Sequence, residues 1–146
     1  MAITLKEINA DNFETCIELR VRDDQPYVAS NVYSIAQSKV YPEGTIKAIY
    51  KDETMVGFLL FGRNDEPKDE HPWLIRFMID KDHQGKGYGK KALALTLELM
   101  EKTYPGEPVY LSTDPKNTNA IKLYEKFGFV STDRLDEGEL VFIKQS

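Results

Sequence analysis

Gln84-Gly85-Lys86-Gly87-Tyr88-Gly89 stands between the apolar run Trp73 to Asp80 (WLIRFMID) and the stretch Lys90 to Tyr104, whose Leu93, Leu97, Met100 and Tyr104 recur at helical spacing. A buried strand that passes through closely spaced glycines into an amphipathic helix is a building unit of α/β folds. Glycines at alternate positions remove side chains where a ligand must come close to the backbone. The helix start directs free N–H groups and a partial positive charge to the same point. An anion fits there, and Lys86, Lys90 and Lys91 add full charges beside it. The plainer reading is a strand-to-helix turn that happens to be rich in glycine.

Spacing excludes two phosphate motifs. A Walker A loop needs a glycine five residues before its Gly-Lys-Ser/Thr, but Gln84 holds that position before Gly89, and Lys91 follows Lys90. A dinucleotide fingerprint needs G-x-G-x-x-G after a first strand, whereas here the third glycine comes one residue early and after a later strand. What remains is Gln-x-x-Gly-x-Gly.

Outward from this junction the chain reads as one succession of elements without a fixed repeat. A strand is predicted at Ile3 to Ile8, a helix capped by Asp11 and running to Arg20, a turn at Asp23 to Tyr27 and a helix at Ser30 to Val40. Thr45 to Tyr50 and Met55 to Phe61 form a hairpin about Lys51 to Thr54, and Gly62 to Pro72 is a polar loop. WLIRFMID then reads as the most deeply buried strand, covered on both faces. After the long helix come a strand at Val109 to Ser112, a helix at Asn119 to Phe127, and a closing hairpin of Phe129 to Leu135 with Glu139 to Lys144. The order β α α β β β α β α β β predicts an α/β sheet with helices on both faces.

The 146 residues are one domain's worth, 1–146, with 41% apolar and 29% charged residues, as a packed globular core requires. No apolar run approaches the roughly 20 residues of a bilayer span, so no membrane association is expected. The opening MAITLKEINADN lacks a basic stretch followed by an apolar one, and a cytoplasmic location is expected. Nineteen Lys and Arg against 24 Asp and Glu give a net charge of −5, which disfavours nucleic acid as a partner. Cys16 is the single cysteine and shares an apolar helical stripe with Phe13 and Ile17, so it reads as a small core residue. His71 and His83 lack partners at ligand spacing, and no metal is expected.

The loop, together with a second block, resembles a known family. Gln84, Gly87 and Gly89 match the pyrophosphate loop of the GNAT superfamily of N-acetyltransferases. Asn117-Thr118-Asn119-Ala120, Leu123-Tyr124-Glu125 and Phe127-Gly128-Phe129 match its second block. Within the superfamily the chain is similar to bacterial spermine/spermidine acetyltransferases, through WLIRFMID, QGKGYGKK and the acidic residues of the N-terminal half. The resemblance implies a mixed sheet of about seven strands with about four helices, acetyl-CoA as cosubstrate and a small amine as acceptor. It implies that Phe77, Met78 and Ile79 present backbone groups to the pantetheine arm and that residues 84–90 (Gln84, Gly85, Lys86, Gly87, Tyr88, Gly89, Lys90) cradle the pyrophosphate. The N–H near Met78 would be the oxyanion donor, Asn117 a partner of the arm, and Tyr124 the acid that protonates the departing thiolate. Read without the resemblance, Tyr124 is a core aromatic on a helix stripe and Asn117 a helix cap.

The proton acceptor has no such assignment. An alkylamine is less than about 0.1% neutral at pH 7, so some group must take its proton. Several members of the superfamily carry a carboxylate in the fourth strand, where this chain has Ile75 and Arg76. Asp23, Asp24 and Glu43 are the acids favoured for that base and expected to meet the acceptor, in a segment that also holds Glu14 and Glu18 but is countered by Arg20, Arg22 and Lys39. A peptide or protein N-acetyltransferase and a silent acyl-CoA-binding module are the alternatives, and homodimerisation is left open.

Overall fold

The computed structural model describes residues 2–21, 29–40, 44–63 and 71–146. Its elements are β1 (Ile3–Lys6), α1 (Phe13–Glu18), α2 (Asn31–Val40), β2 (Thr45–Lys51), β3 (Thr54–Arg63), β4 (Pro72–Ile79), α3 (Tyr88–Thr103), β5 (Val109–Thr113), α4 (Thr118–Lys126), β6 (Val130–Asp136) and β7 (Glu139–Lys144), with a 3₁₀ turn at Lys81–His83. Seven strands form one sheet in the order β1-β2-β3-β4-β5-β7-β6. Every pairing is antiparallel except β4 with β5. The α/β architecture expected from the sequence is therefore the one observed. Among the described residues no helix is long and apolar enough to cross a membrane.

The sheet separates two apolar clusters. Leu74, Leu93, Met100, Leu111, Phe129 and Phe142 pack on the face that carries α3 and α4, while Cys16, Leu19, Ala48, Phe58, Leu60 and Met78 pack under α1 and α2. Side chains that alternate along a strand feed both clusters, which is why β3 is buried at eight consecutive positions, Met55 to Gly62. Burial peaks there and not in β4, contrary to the sequence expectation. Ile75, Arg76, Phe77 and Ile79 are only half-buried, because β4 loses its second neighbour partway along.

Several boundaries move for local reasons. Asn12, not Asp11, precedes α1; its side chain turns back to accept from the Asn9 N–H at 2.9 Å and to donate to the Glu7 carbonyl at 3.0 Å. The helix stops at Glu18, and the Arg20 N–H is held instead by Asp80 Oδ1 at 2.8 Å. Gly62 and Arg63 continue β3 because Trp73 and Pro72 pair with them. Both hairpins close in two residues: Lys51 lies opposite Thr54, and Asp136 opposite Glu139. The turn predicted at Asp23 to Tyr27 falls outside the described residues, apart from which α2 follows Ser30, whose Oγ accepts from the Tyr33 N–H at 3.2 Å.

Candidate active site

β4 and β5 lie side by side at a single pair, Trp73 opposite Tyr110, and then part. The cause is visible in the β3–β4 register. Leu60 faces Arg76 and Phe61 faces Leu74, so Ile75 is an extra residue without a partner. Such a bulge bends a strand and increases its twist. Beyond it, β4 keeps its ladder with β3 and leaves its other edge without a strand.

The alternation of that ladder decides which amides are free. The Asp80 N–H donates to the Val56 carbonyl at 2.7 Å, and Met78 lies opposite Phe58 two residues on. Opposed residues in an antiparallel pair are hydrogen-bonded at every second position, so the Met78 N–H points at β3. The amides of Phe77 and Ile79 point into the gap. Of the amides near Met78, where the donor is expected, that of Met78 itself therefore faces β3 and those of Phe77 and Ile79 are free, while the Met78 side chain lines the cavity.

The cavity itself has a volume of about 210 Å³ and runs from β4 over the β4–α3 turn to α4. Phe77, Met78, Ile79, Gln84, Gly85, Gly87, Tyr88, Gly89, Asn117 and Tyr124 all line it, so both sequence blocks meet at one place. Gln84 ties the turn back to the strand, its Nε2 donating to the Ile79 carbonyl at 2.9 Å. Gly87 adopts φ +83° as the residue before α3, a region closed to most side chains, and space is not the constraint because a Cβ there would meet nothing within 4 Å. No side chain caps α3, and its first backbone bond is Lys91 N–H to the Gly87 carbonyl, at 3.4 Å. The N–H groups of Tyr88, Gly89 and Lys90 therefore remain available at the positive end of a 16-residue helix. α3 starts two residues earlier than predicted, which places Gly89 inside its first turn. Lys86 and Lys90 are exposed and stand outside the cavity wall. An unpaired strand edge leading to an uncapped helix start fits an extended, amide-bearing arm that ends in phosphate.

α4 closes the far side. Asn117 is its cap, accepting from the Ala120 N–H at 3.4 Å, and it also lines the cavity, so the capping and site readings coexist. Tyr124 is 9% exposed, packs edge-on against Phe129 with ring centroids 5.9 Å apart, and turns its ring to the cavity. Burial, with a smaller contribution from the charge of Glu139, pushes its phenol up to about 12. It keeps its proton at any ordinary pH and can act only as a donor.

Some contributors carry no motif. Asp80 gathers the end of α1 and the start of the 3₁₀ turn, accepting from the N–H groups of Arg20 and Asp82 at 2.8 and 3.3 Å, and so sets Val21 against the cavity. Asn31, buried on α2, donates to the Cys16 carbonyl at 2.8 Å and lies 3.9 Å from the Met78 sulfur. Burial pushes the Cys16 thiol up to about 11, in keeping with a core residue. Asp23, Asp24 and Glu43, the acids expected at the acceptor, lie outside the described residues, while Glu14 and Glu18 are exposed on α1.

Comparison with known proteins agrees with this geometry. The pattern of the acetyltransferase (GNAT) family matches residues 5–129. The probable spermine N(1)-acetyltransferase of Bacillus subtilis subsp. natto is 33% identical, covering 99% of this chain and 99% of its own. The spermine/spermidine N(1)-acetyltransferase of Bacillus subtilis strain 168 is 32% identical with the same coverage. The crystal structure of the PaiA N-acetyltransferase from Thermoplasma acidophilum in complex with coenzyme A superposes with a TM-score of 0.74 over all of both chains, at 18% identity.

Proposed function

The chain belongs to the acetyltransferase (GNAT) family, an N-acetyltransferase with acetyl-CoA as its cosubstrate, and we propose that its acceptor is a polyamine, spermine or spermidine, acetylated by a single domain spanning 1–146. The observation that carries this reading is the full-length similarity to two spermine acetyltransferases. The net charge of −5 supports it by favouring a cationic acceptor.

Acetyl-CoA supplies an acyl carbon with a thiolate leaving group, and the chain's own groups do the rest. The free edge of β4 takes the amide-bearing arm as an added strand would be taken, and the N–H groups of residues 88–90 meet the pyrophosphate. The Phe77 amide, aimed into the gap, donates to the thioester oxygen as charge develops on it, a contribution that such donors make at about 10²- to 10³-fold in rate. Tyr124 lines the cavity where the thioester sulfur would lie. A phenol that burial keeps protonated is available to donate to that sulfur as the carbon–sulfur bond breaks. Tyr124 thus acts as the acid that protonates the departing thiolate and regains its proton from water.

A second ammonium group on the acceptor would pair with the acids of the N-terminal half, Asp23, Asp24 and Glu43 among them. In a partly desolvated cleft one charge-assisted contact contributes about 1.5 to 3 kcal/mol, a tenfold to hundredfold preference over a monoamine. Release of coenzyme A over a panel of spermine, spermidine, simple alkylamines and peptides, with products identified by mass, tests this. Spermine should lead in kcat/KM by at least about tenfold. Equal kcat/KM for spermine and an alkylamine refutes the polyamine acceptor and leaves the acetyltransferase standing.

A further inference from the structure

An amine that attacks the acyl carbon must shed a proton as the carbon–nitrogen bond forms, and Tyr124, fixed as a donor, cannot receive it. With the cosubstrate arm entering from the side of α3 and α4, the nitrogen is left the opposite face of the sheet. Just past the last β4–β5 pair, β5 turns Leu111 into the core beneath α3 and α4, so Ser112 faces that opposite side. Ser112 Oγ donates to Glu139 Oε1 at 2.7 Å. Glu139 opens β7 two residues before Val141, the ladder partner of Ser112, and both side chains are half-buried.

The neighbouring charges are engaged elsewhere. Asp136, opposite Glu139 on β6, is ion-paired with Arg134 at 2.6 Å, and Arg134 lies over the Trp73 ring. On β4, Arg76 Nη1 donates to the Ile75 carbonyl at 2.8 Å. Glu139 adds to the rise of the Tyr124 phenol, so its carboxylate lies within electrostatic reach of that ring. Tyr124 and the Ser112–Glu139 pair thus flank the point where β4 and β5 part.

We propose that Ser112 and Glu139 form a proton relay for the acceptor amine. As the nitrogen bonds to the acyl carbon, Ser112 Oγ takes the nitrogen's proton while its own proton passes along the hydrogen bond to Glu139. The carbon–sulfur bond breaks with its electron pair on sulfur, the thiolate takes a proton from Tyr124, Tyr124 regains one from water, and Glu139 returns its proton to water. Nothing is oxidised or reduced. The relay rests on the N-acetyltransferase reading and not on which amine is used.

Rates over pH 6 to 9.5, with spermine and separately with a simple alkylamine at high concentration, test the relay in the full chain. E139Q should lower kcat by about 10²-fold or more for either amine and flatten the acid limb of the pH profile, with KM for acetyl-CoA unchanged. Formate should restore part of the E139A rate in proportion to its concentration, which a purely structural tie between β5 and β7 would not allow. Where Glu139 variants unfold, S112A gives the same reading through a loss of about tenfold in kcat at an unchanged melting temperature. Normal kcat in E139Q or in a folded S112A, or an E139Q effect confined to KM for spermine, overturns the relay. Turnover of the alkylamine without turnover of spermine refutes the polyamine acceptor alone, since the Glu139 comparison then proceeds on the alkylamine.

Discussion

The two sides of the gap between β4 and β5 are made of different material. On the side of α3 and α4 the wall is mostly backbone: a strand edge without a neighbour, a turn with Gly87 at φ +83°, and a helix start that no side chain caps. On the other side the wall is side chains from distant strands, with Trp73 stacked on Tyr110 at 5.4 Å, Ser112 bonded to Glu139 and Arg134 paired with Asp136. Backbone can hold any ligand with the right shape and phosphate, so the proposed function assigns that side to the cosubstrate. Side chains choose by charge and contact, so the proposed function gives the other side to the acceptor.

Tyr124→Phe breaks the comparison at its meeting point. The ring keeps its volume against Phe129 while the donor is lost, and kcat should fall about 10²-fold with affinity for acetyl-CoA unchanged in a calorimetric titration. Unchanged kcat with chemistry rate-limiting would make Tyr124 a packing residue only.

Gly87→Val and Gly89→Ala sharpen the backbone side when taken together. Valine at φ +83° is strained by about 2 kcal/mol and should both lower the melting temperature and weaken acetyl-CoA binding by about tenfold. Gly89 lies within the helix, and a Cβ there meets Ile79 at 3.6 Å and Leu123 at 3.9 Å, which is ordinary contact. Alanine should therefore keep or raise stability, by up to about 1 kcal/mol, yet cost a few-fold in acetyl-CoA affinity because the methyl stands in the cavity. Equal loss of stability in both variants would contradict the distinction.

The same difference explains what the sequence made legible. The site's backbone half is a run of local spacing, so Gln84, Gly87 and Gly89 could be read directly, as could Asn117 and Tyr124 in the second block. The order of strands and helices along the chain followed from periodicity, while their order within the sheet did not. The bulge at Ile75 could not, because it is a mismatch between two strands, visible only once Leu60 and Arg76 are paired. For the same reason the sequence places the free amide only near Met78, and ladder parity is needed to see that it is Phe77 that turns inward. Ser112 and Glu139 stand 27 residues apart and carry no motif, and Asp80 looks like the polar end of a strand until Arg20 is found bonded to it.

Glu107 gives the smallest effect, away from the gap. The hydrogen bond from Arg63, with His71 adding a weaker pull, holds its carboxyl below the usual range. A depressed carboxylate stabilises the fold above its unfolded pKa, and that stabilisation is lost as pH falls through its folded value. Glu107→Gln should lower stability by about 1 kcal/mol or less at pH 7, as for a partly exposed pair. Thermal melts of the two proteins should converge in acid; a gap that widens there would contradict the sign.

Amide hydrogen exchange with and without acetyl-CoA tests most directly whether the cosubstrate is held by backbone. Protection is expected at the amides of Phe77 and Ile79 and of Tyr88, Gly89 and Lys90, while Met78, already bonded to β3, should change little. Binding that leaves those five amides as exposed to exchange as in the free protein would contradict a backbone-built cosubstrate site.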